Sequence, residues 1–130
     1  MHDSLREEAK AFFDAFVLAF TSFEGQQVAR LFLAPYLAMH TASSVECFAT
    51  PAEIADYFQQ VLDRYHETGC RSCRYTELDV VAMGTQCALG TVSWELCSED
   101  GSVLSSWRES YNLALHGGEL RAFASIDHSH

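Results

Sequence analysis

The first 23 residues have the hydrophobic spacing of an amphipathic helix. Ser4 and Glu7 stand three positions apart, as in a capping box, which predicts that the helix begins at Ser4. Apolar side chains then recur every three or four positions and form one stripe that should face the core: Leu5, Ala9, Phe12, Phe16, Ala19, Phe20 and Phe23. We expect the helix to run to about Ser22, because Gly25 should break it.

A short helix and a small hairpin should follow. The apolar residues within 28–32 predict a second helix, which Pro35 must stop because proline disfavours helix in the residue before it. Residues 36–40 and 45–49 have the composition of two short strands, with the turn-like run 42–44 between them. They predict a β-hairpin.

A second capping box stands in the middle of the chain. Thr50 and Glu53 have its spacing, and Pro51 takes the first helical position, where its missing amide hydrogen costs nothing. Gly69 follows where a left-handed C-terminal cap is wanted. The third helix should therefore span 51–68.

From Arg74 onward the period of the pattern changes to two, which is the period of a β-strand. Turn-forming residues interrupt it at 84–86, 100–101 and 117–118, so we expect a meander of four long strands. The Asp-Gly sequence at 100–101 favours a two-residue type I′ turn. Such a turn fixes which residues of the flanking strands lie opposite each other.

The predicted turns assign one face of the sheet. They give the following opposed pairs: Gly90 with Tyr111, Val92 with Glu109, Trp94 with Trp107, Leu113 with Ala122, Tyr111 with Ala124, and Glu109 with Ile126. This face is apolar apart from Glu109, whereas the other face is polar and includes Asp79 and Asp127. An antiparallel sheet with one apolar face must cover it, and the three helices are the available cover. The predicted fold class is α+β, in which three N-terminal helices pack on a strongly curved antiparallel sheet and leave a cavity at the mouth of a cone.

Composition narrows the function classes. The 130 residues, 48% of them hydrophobic, have the size and content of a single domain spanning 1–130. A net charge of −10 argues against nucleic-acid and membrane-surface partners, because both are anionic. We expect neither a signal peptide nor a transmembrane helix, and the odd number of cysteines favours reduced thiols in a cytoplasm. Cys70 and Cys73 form a lone CxxC. We favour the interpretation that they are two unrelated thiols over a redox pair or a metal site.

The order of the predicted elements resembles that of the NTF2-like superfamily, in particular its SnoaL-like and DUF4440-like branch. The segments that carry the resemblance are 4–23, 31–40, 50–54 and 92–111. It implies a cystatin-like cone fold, frequent homodimers, and a deep pocket that members use for isomerisation, cyclisation, dehydration, epoxide hydrolysis or binding alone.

Two catalytic sets of the resembled superfamily are not reproduced. Its steroid isomerases use a tyrosine on the first helix, a carboxylate at the end of the first strand and an aspartic acid on the sheet. This chain offers phenylalanines on the first helix, His40 at the end of the first strand and Glu109 on the sheet. Its epoxide hydrolases use an Asp-Arg-Asp arrangement, and here Asp79 and Asp127 are expected on the polar face.

Three residues are predicted to be catalytic. Glu109 is the ionisable group on the predicted apolar face, and a buried carboxyl with a raised pKa is suited to general acid or base chemistry. The alternatives are a β-bulge that turns it to solvent or a structural hydrogen bond. His40 is the second acid or base candidate, since histidine titrates near neutral pH, with simple packing as its alternative. Tyr111 is expected to donate a hydrogen bond.

Five aromatic residues are predicted to bind the substrate: Tyr36, Tyr57, Trp94, Trp107 and Phe16. Their alternative role is ring burial in an ordinary core.

Two functions of different classes follow. The first is an isomerase, cyclase or dehydratase that acts by proton transfer on a small apolar or aromatic ligand and requires no metal or organic cofactor. The second is a non-catalytic binding or assembly module whose cone is filled by its own side chains. In either case we predict a homodimer through the polar face of the sheet, where short residues should allow close approach: Thr91, Ser93, Ser110, Asn112 and Ser125.

Overall fold

Three helices and six strands make up the described part of the fold. The computed structural model describes residues 2–40 and 44–128, with side chains from Ser4 onward, so most of the predicted turn at 42–44 lies outside the described residues. The elements are α1 (His2–Phe20), α2 (Gly25–Ala29), β1 (Phe32–Met39), β2 (Val45–Phe48), α3 (Pro51–Glu67), β3 (Cys70–Met83), β4 (Cys87–Ser98), β5 (Val103–His116) and β6 (Glu119–Asp127). The strands form one sheet in the order β2-β1-β6-β5-β4-β3. All neighbours are antiparallel except β1 and β6, which are parallel. The predicted α+β class is confirmed.

The first helix begins and ends earlier than its sequence signals indicate. It starts at His2, so Ser4 lies inside the first turn and is not the N-cap. The predicted stripe is nevertheless buried, with Phe12 3% exposed. The helix ends at Phe20 because the next two hydroxyls satisfy its last carbonyls: Thr21 donates to Leu18 over 2.7 Å and Ser22 to Ala19 over 2.6 Å.

The predicted second helix over 28–32 is wrong beyond Ala29. Phe32 already belongs to β1, where it lies opposite Ala122 of β6, and the Leu31 carbonyl accepts a hydrogen bond from the Ala122 amide at 3.0 Å. Pairing with the sheet therefore wins over the local helical spacing.

Helix α3 matches the capping signals closely. The Thr50 hydroxyl accepts from the Glu53 amide at 3.2 Å, and the Glu53 carboxylate accepts from the Ala49 amide at 2.9 Å. The helix ends at Glu67, and Gly69 has a positive φ of 96°. These contacts fix both ends of the helix that covers the sheet.

The hairpin between β4 and β5 keeps the predicted register although its turn differs. Trp94 lies opposite Trp107, Val92 opposite Glu109 and Gly90 opposite Tyr111, as predicted. The connection is a three-residue loop, 99–101, closed by a hydrogen bond from the Ser98 amide to the Ser102 carbonyl. A bulge then restores the register, because Cys97 lies opposite Val103 while Leu96 lies opposite Ser105.

The register of β6 differs from the prediction in its second half. Leu113 lies opposite Ala122 as predicted, but Asn112 lies opposite Ala124, so Phe123 is an extra residue in a β-bulge. The predicted pairs of Tyr111 with Ala124 and Glu109 with Ile126 are therefore wrong. Tyr111 lies opposite Ser125, and Glu109 lies opposite Asp127.

The slip exchanges the two faces of β6. Ser125 is 4% exposed and Asp127 faces inward, whereas Ile126 is 42% exposed on the outside. The expectation that Asp127 belongs to the polar outer face, and that Ser125 contributes to a dimer surface there, is thus wrong. The inner face of the sheet gains an acidic side chain that simple alternation does not predict.

The face of the sheet away from the helices is also more apolar than expected. One row of cross-strand neighbours runs across all six strands on this outer face: Cys47, Leu37, Ala124, Asn112, Leu89 and Val81. We call it the outer row. It contains no charged residue, and Leu37 and Val81 are about half exposed, at 47% and 51%.

Candidate functional site

A cavity of about 300 Å³ opens between α3 and the inner face of the sheet. This volume lies at the lower end of the range found for small-molecule sites, roughly 300 to 1,000 Å³. All eight residues predicted from the sequence lie on its wall: Phe16, Tyr36, His40, Tyr57, Trp94, Trp107, Glu109 and Tyr111. The cone is therefore not packed solid in the described part of the chain.

Glu109 lies on β5 with its carboxyl inside the fold. It is 9% exposed, and the indole of Trp107 donates a hydrogen bond to its Oε1 at 2.9 Å. The bulge that could have turned Glu109 to solvent lies on β6 instead. The side chain therefore faces the cavity.

Asp127 is the functional residue that sequence reasoning placed on the wrong face. The bulge at Phe123 brings it opposite Glu109 on the adjacent strand. We call Glu109 and Asp127 the acidic pair. The sequence signal for its position is weak. In an alternating strand Ser125 and Asp127 lie on one face and Ala124 and Ile126 on the other, and hydrophobicity favours the second pair as the inner one.

The environment of the acidic pair favours one proton on Glu109. Burial raises the pKa of Glu109 from its ordinary value of 4.5 to about 8, the charge of Asp127 and a hydrogen bond with it add to this rise, and hydrogen bonds from Trp107 and Tyr111 oppose it. Two carboxyls in close contact cannot both ionise freely. At neutral pH Glu109 is therefore the protonated member of the acidic pair.

His40 completes a line of polar contacts along the cavity wall. Its Nδ1 lies 3.5 Å from Oδ2 of Asp127, and its Nε2 lies 3.2 Å from Oε2 of Glu46 and 3.3 Å from the Tyr57 hydroxyl. The ring is partly exposed. Contacts thus run from buried Glu109 through Asp127 to a histidine that reaches solvent.

The tyrosines on the wall are hydrogen-bonding groups in their neutral form. The Tyr111 hydroxyl accepts from the Trp94 indole at 2.8 Å, and the Tyr36 hydroxyl pairs with the Ser125 hydroxyl at 2.6 Å. Burial raises the pKa of Tyr111, Tyr36 and Tyr57 above its usual range. These hydroxyls can orient a ligand or a carboxyl but do not act as bases near neutral pH.

Aromatic rings form most of the apolar wall. Trp94 is 2% exposed and packs on Phe16 with ring centroids 4.9 Å apart. Trp107 is less buried and lies 6.5 Å from Tyr65, centroid to centroid. Trp94 and Phe16 therefore serve as core and wall together, whereas Trp107 and Tyr65 border the more open end.

The described residues show neither a cluster of metal ligands nor a membrane-spanning helix. Within residues 2–40 and 44–128, no three His, Cys, Asp or Glu side chains are grouped so that they could hold a metal ion. Cys70 and Cys73 are buried at the start of β3, and burial raises the pKa of Cys73, which keeps it a thiol. Of the helices in the described part of the chain, none combines the length and hydrophobicity that a membrane span requires.

Comparison with known proteins identifies the relatives of this fold. A family model described as NTF2-like protein (DUF6841) matches residues 6–130. Among curated proteins no sequence matches the chain significantly. Aln2 from a Streptomyces species is 16% identical, with a TM-score of 0.76 over 95% of this chain and 89% of Aln2.

Two further solved structures show the same fold. An NTF2-like protein with a cystatin-like fold from Novosphingobium aromaticivorans is 13% identical, with a TM-score of 0.74 over 94% of this chain and 79% of that one. A proposed dehydratase of the NTF2-like family from Streptomyces avermitilis is 13% identical, with a TM-score of 0.70 over 98% and 97% of the two chains. At these identities the likeness concerns the fold alone.

Proposed function

This chain belongs to the NTF2-like protein family DUF6841, and because its own fold encloses a cavity we propose that it is an enzyme of isomerase, cyclase or dehydratase type that moves protons on a small apolar or aromatic substrate. The observation that carries the proposal is the acidic pair on the wall of an otherwise largely apolar cavity of about 300 Å³. Clustered ionisable groups with a perturbed pKa, in a concave apolar site, are typical of acid and base catalysis.

The acidic pair supplies both partners of a proton transfer. Glu109, protonated at neutral pH, donates a proton to a carbonyl or departing hydroxyl oxygen of the substrate. Asp127, the other carboxyl of the pair, accepts the proton from the adjacent carbon. In an isomerisation each proton is then returned, the carbon-bound one at a new carbon, so that both carboxyls regain their starting states.

His40 acts on Asp127 in this scheme. Its Nδ1 contact at 3.5 Å allows it to receive the proton that Asp127 has taken up, and its other nitrogen lies near Glu46 and Tyr57. Tyr111 holds Glu109 in place, because its hydroxyl accepts from the Trp94 indole and donates its own hydrogen to the Glu109 carboxyl. The roles predicted for His40 and Tyr111 thus shift from direct contact with the substrate to proton relay and positioning.

Exchange of carbon-bound hydrogen for deuterium tests the proposal without knowledge of the product. We expect the protein to accelerate exchange at the carbons next to the carbonyl of 2-tetralone in D₂O, followed by NMR. Asp127→Asn and Glu109→Gln should each lower the rate by about 10² to 10⁴-fold, the usual contribution of one acid or base group. Asp79→Asn, on the same sheet but its outer face, is the matched control and should exchange at the wild-type rate.

An unchanged rate in Asp127→Asn would contradict the assignment of Asp127 as the base. No acceleration by the wild-type protein, with 2-tetralone bound, would contradict catalysis and leave a binding module.

We also propose that two copies pair through the outer face of the sheet. The support is the outer row, which is uncharged and partly apolar, flanked by Met39 and Ile126, which are 37% and 42% exposed.

The cytoplasmic location remains a proposal that rests on the odd number of cysteines in the sequence.

A further inference from the structure

The open end of the cavity holds one arginine without an ionic partner. Arg64 lies on α3 and lines the cavity together with Ser105 and Trp107 of β5. No other lining residue that the structure describes is an arginine or a lysine. It forms no ion pair with any described residue, although the chain carries 18 acidic side chains.

Three of the other basic residues of the chain already face a carboxylate. Arg74 pairs with Glu95 at 2.6 Å, Arg108 lies 3.6 Å from Glu77, and Lys10 pairs with Asp14 at 2.8 Å. In a chain with a net charge of −10, an unpaired arginine beside a cavity therefore keeps its donors free for a ligand.

The two ends of the cavity differ in charge. Glu109 stands four residues beyond Ser105 on β5, which places the acidic pair roughly 14 Å along the strand from the Arg64 end at about 3.4 Å per residue. Aromatic and aliphatic side chains line the space between, including Trp94 and Tyr65. An anionic group of a ligand is repelled by the acidic pair and attracted at the other end.

From this arrangement we infer that Arg64 selects substrates that carry a carboxylate, bound at the open end while the reacting carbonyl faces the acidic pair. This inference rests on the proposed function, whose substrate class it narrows to acidic aromatic compounds with a rigid apolar body. The planar guanidinium offers a carboxylate two parallel hydrogen bonds, which an exposed lysine would not do. Arg64 is a specificity residue and takes no part in the proton transfer.

A pair of matched ligands tests the inference. The probes are 6-hydroxy-2-naphthoate and 6-hydroxy-2-naphthamide, which share a two-ring body and differ in the charge at one end. Titration calorimetry should give a dissociation constant about tenfold lower for the carboxylate, as expected for a partly exposed charged hydrogen bond, and added salt should narrow this difference.

The variants separate charge at the cavity from charge of the whole protein. Arg64→Gln should abolish the tenfold preference and leave amide binding unchanged, while Arg64→Lys should retain part of it. Arg121→Gln removes the same charge from the outer face of β6 and should keep the full preference. Equal unfolding midpoints of the three variants would show that none of them acts through stability.

The outcomes distinguish this inference from the proposed function. If both probes bind equally, or if Arg121→Gln loses the preference as Arg64→Gln does, the inference is overturned while the deuterium-exchange result stands. If the preference is present and depends on Arg64 but no ketone exchanges, the carboxylate site is supported and the proposed catalysis fails.

Discussion

At the scale of single residues, the stability of the protein should depend on the proton of Glu109. The carboxyl has a pKa of about 8 in the folded state and its ordinary value of 4.5 in an unfolded chain, so the folded state binds the extra proton between these values. The free energy of unfolding therefore falls as the pH rises through this window. The full destabilisation from ionising the buried Glu109 carboxyl is reached only above pH 8.

Replacing Glu109 with glutamine removes this dependence, since glutamine is neutral at every pH. We expect Glu109→Gln to be more stable than the wild-type protein at pH 9, by a few kcal/mol at most, and to differ little from it at pH 5. Urea unfolding of both proteins at pH 5, 7 and 9 measures the difference. Parallel pH profiles would show that Glu109 is not protonated preferentially in the fold.

The candidate site illustrates which residue positions a sequence can predict. Glu109, Tyr111 and both tryptophans could be placed on the inner face because alternation along β4 and β5 is regular there. Asp127 could not, because one inserted residue on β6 reverses the two faces and bulges leave no composition signal of their own. Arg64 could not either, because helical spacing alone does not say which exposed side chain borders a cavity.

At the scale of elements, the contact between α2 and α3 depends on a glycine. A Cβ atom at Gly25 would lie 2.4 Å from the Ala55 carbonyl oxygen and 2.6 Å from the Gln59 amide nitrogen, both backbone atoms of α3. The Gly25 amide also donates to the Gln59 side chain at 2.7 Å. Sequence reasoning assigned Gly25 only as a helix breaker, whereas its contact role depends on a distant helix.

Substitution of this glycine should separate the two helices. We expect Gly25→Ala to lower the free energy of unfolding by about 1 to 3 kcal/mol, the usual cost of overpacking. Gln26→Ala, at the exposed neighbouring position of α2, serves as the control and should change stability by less than about 0.5 kcal/mol. Equal urea midpoints of the two variants would contradict the close approach of α2 and α3.

At the scale of the whole molecule, the sheet has two faces with different uses. The inner face encloses the cavity, and its core positions are filled by α1 and α3. The outer face carries the outer row, for which the described chain offers no cover of its own. Local alternation predicted the existence of these faces, but the apolar content of the outer face depends on the register between β1 and β6, which are far apart in sequence.

The outer row predicts a homodimer that can be broken by one charge. Leu37 lies in the row on β1, and Leu37→Glu would place two like charges at a two-fold interface, which disfavours pairing. Val103→Glu is the control, because Val103 is as exposed, at 45%, but stands at the start of β5 beside the 99–101 loop. Light scattering at micromolar concentration should give twice 14.5 kDa for the wild-type protein and the control, and 14.5 kDa for Leu37→Glu.

Because each chain carries a net charge of −10, the dimer should strengthen as salt is raised from low to physiological ionic strength. A wild-type mass of 14.5 kDa at both salt concentrations would rule out pairing through this face.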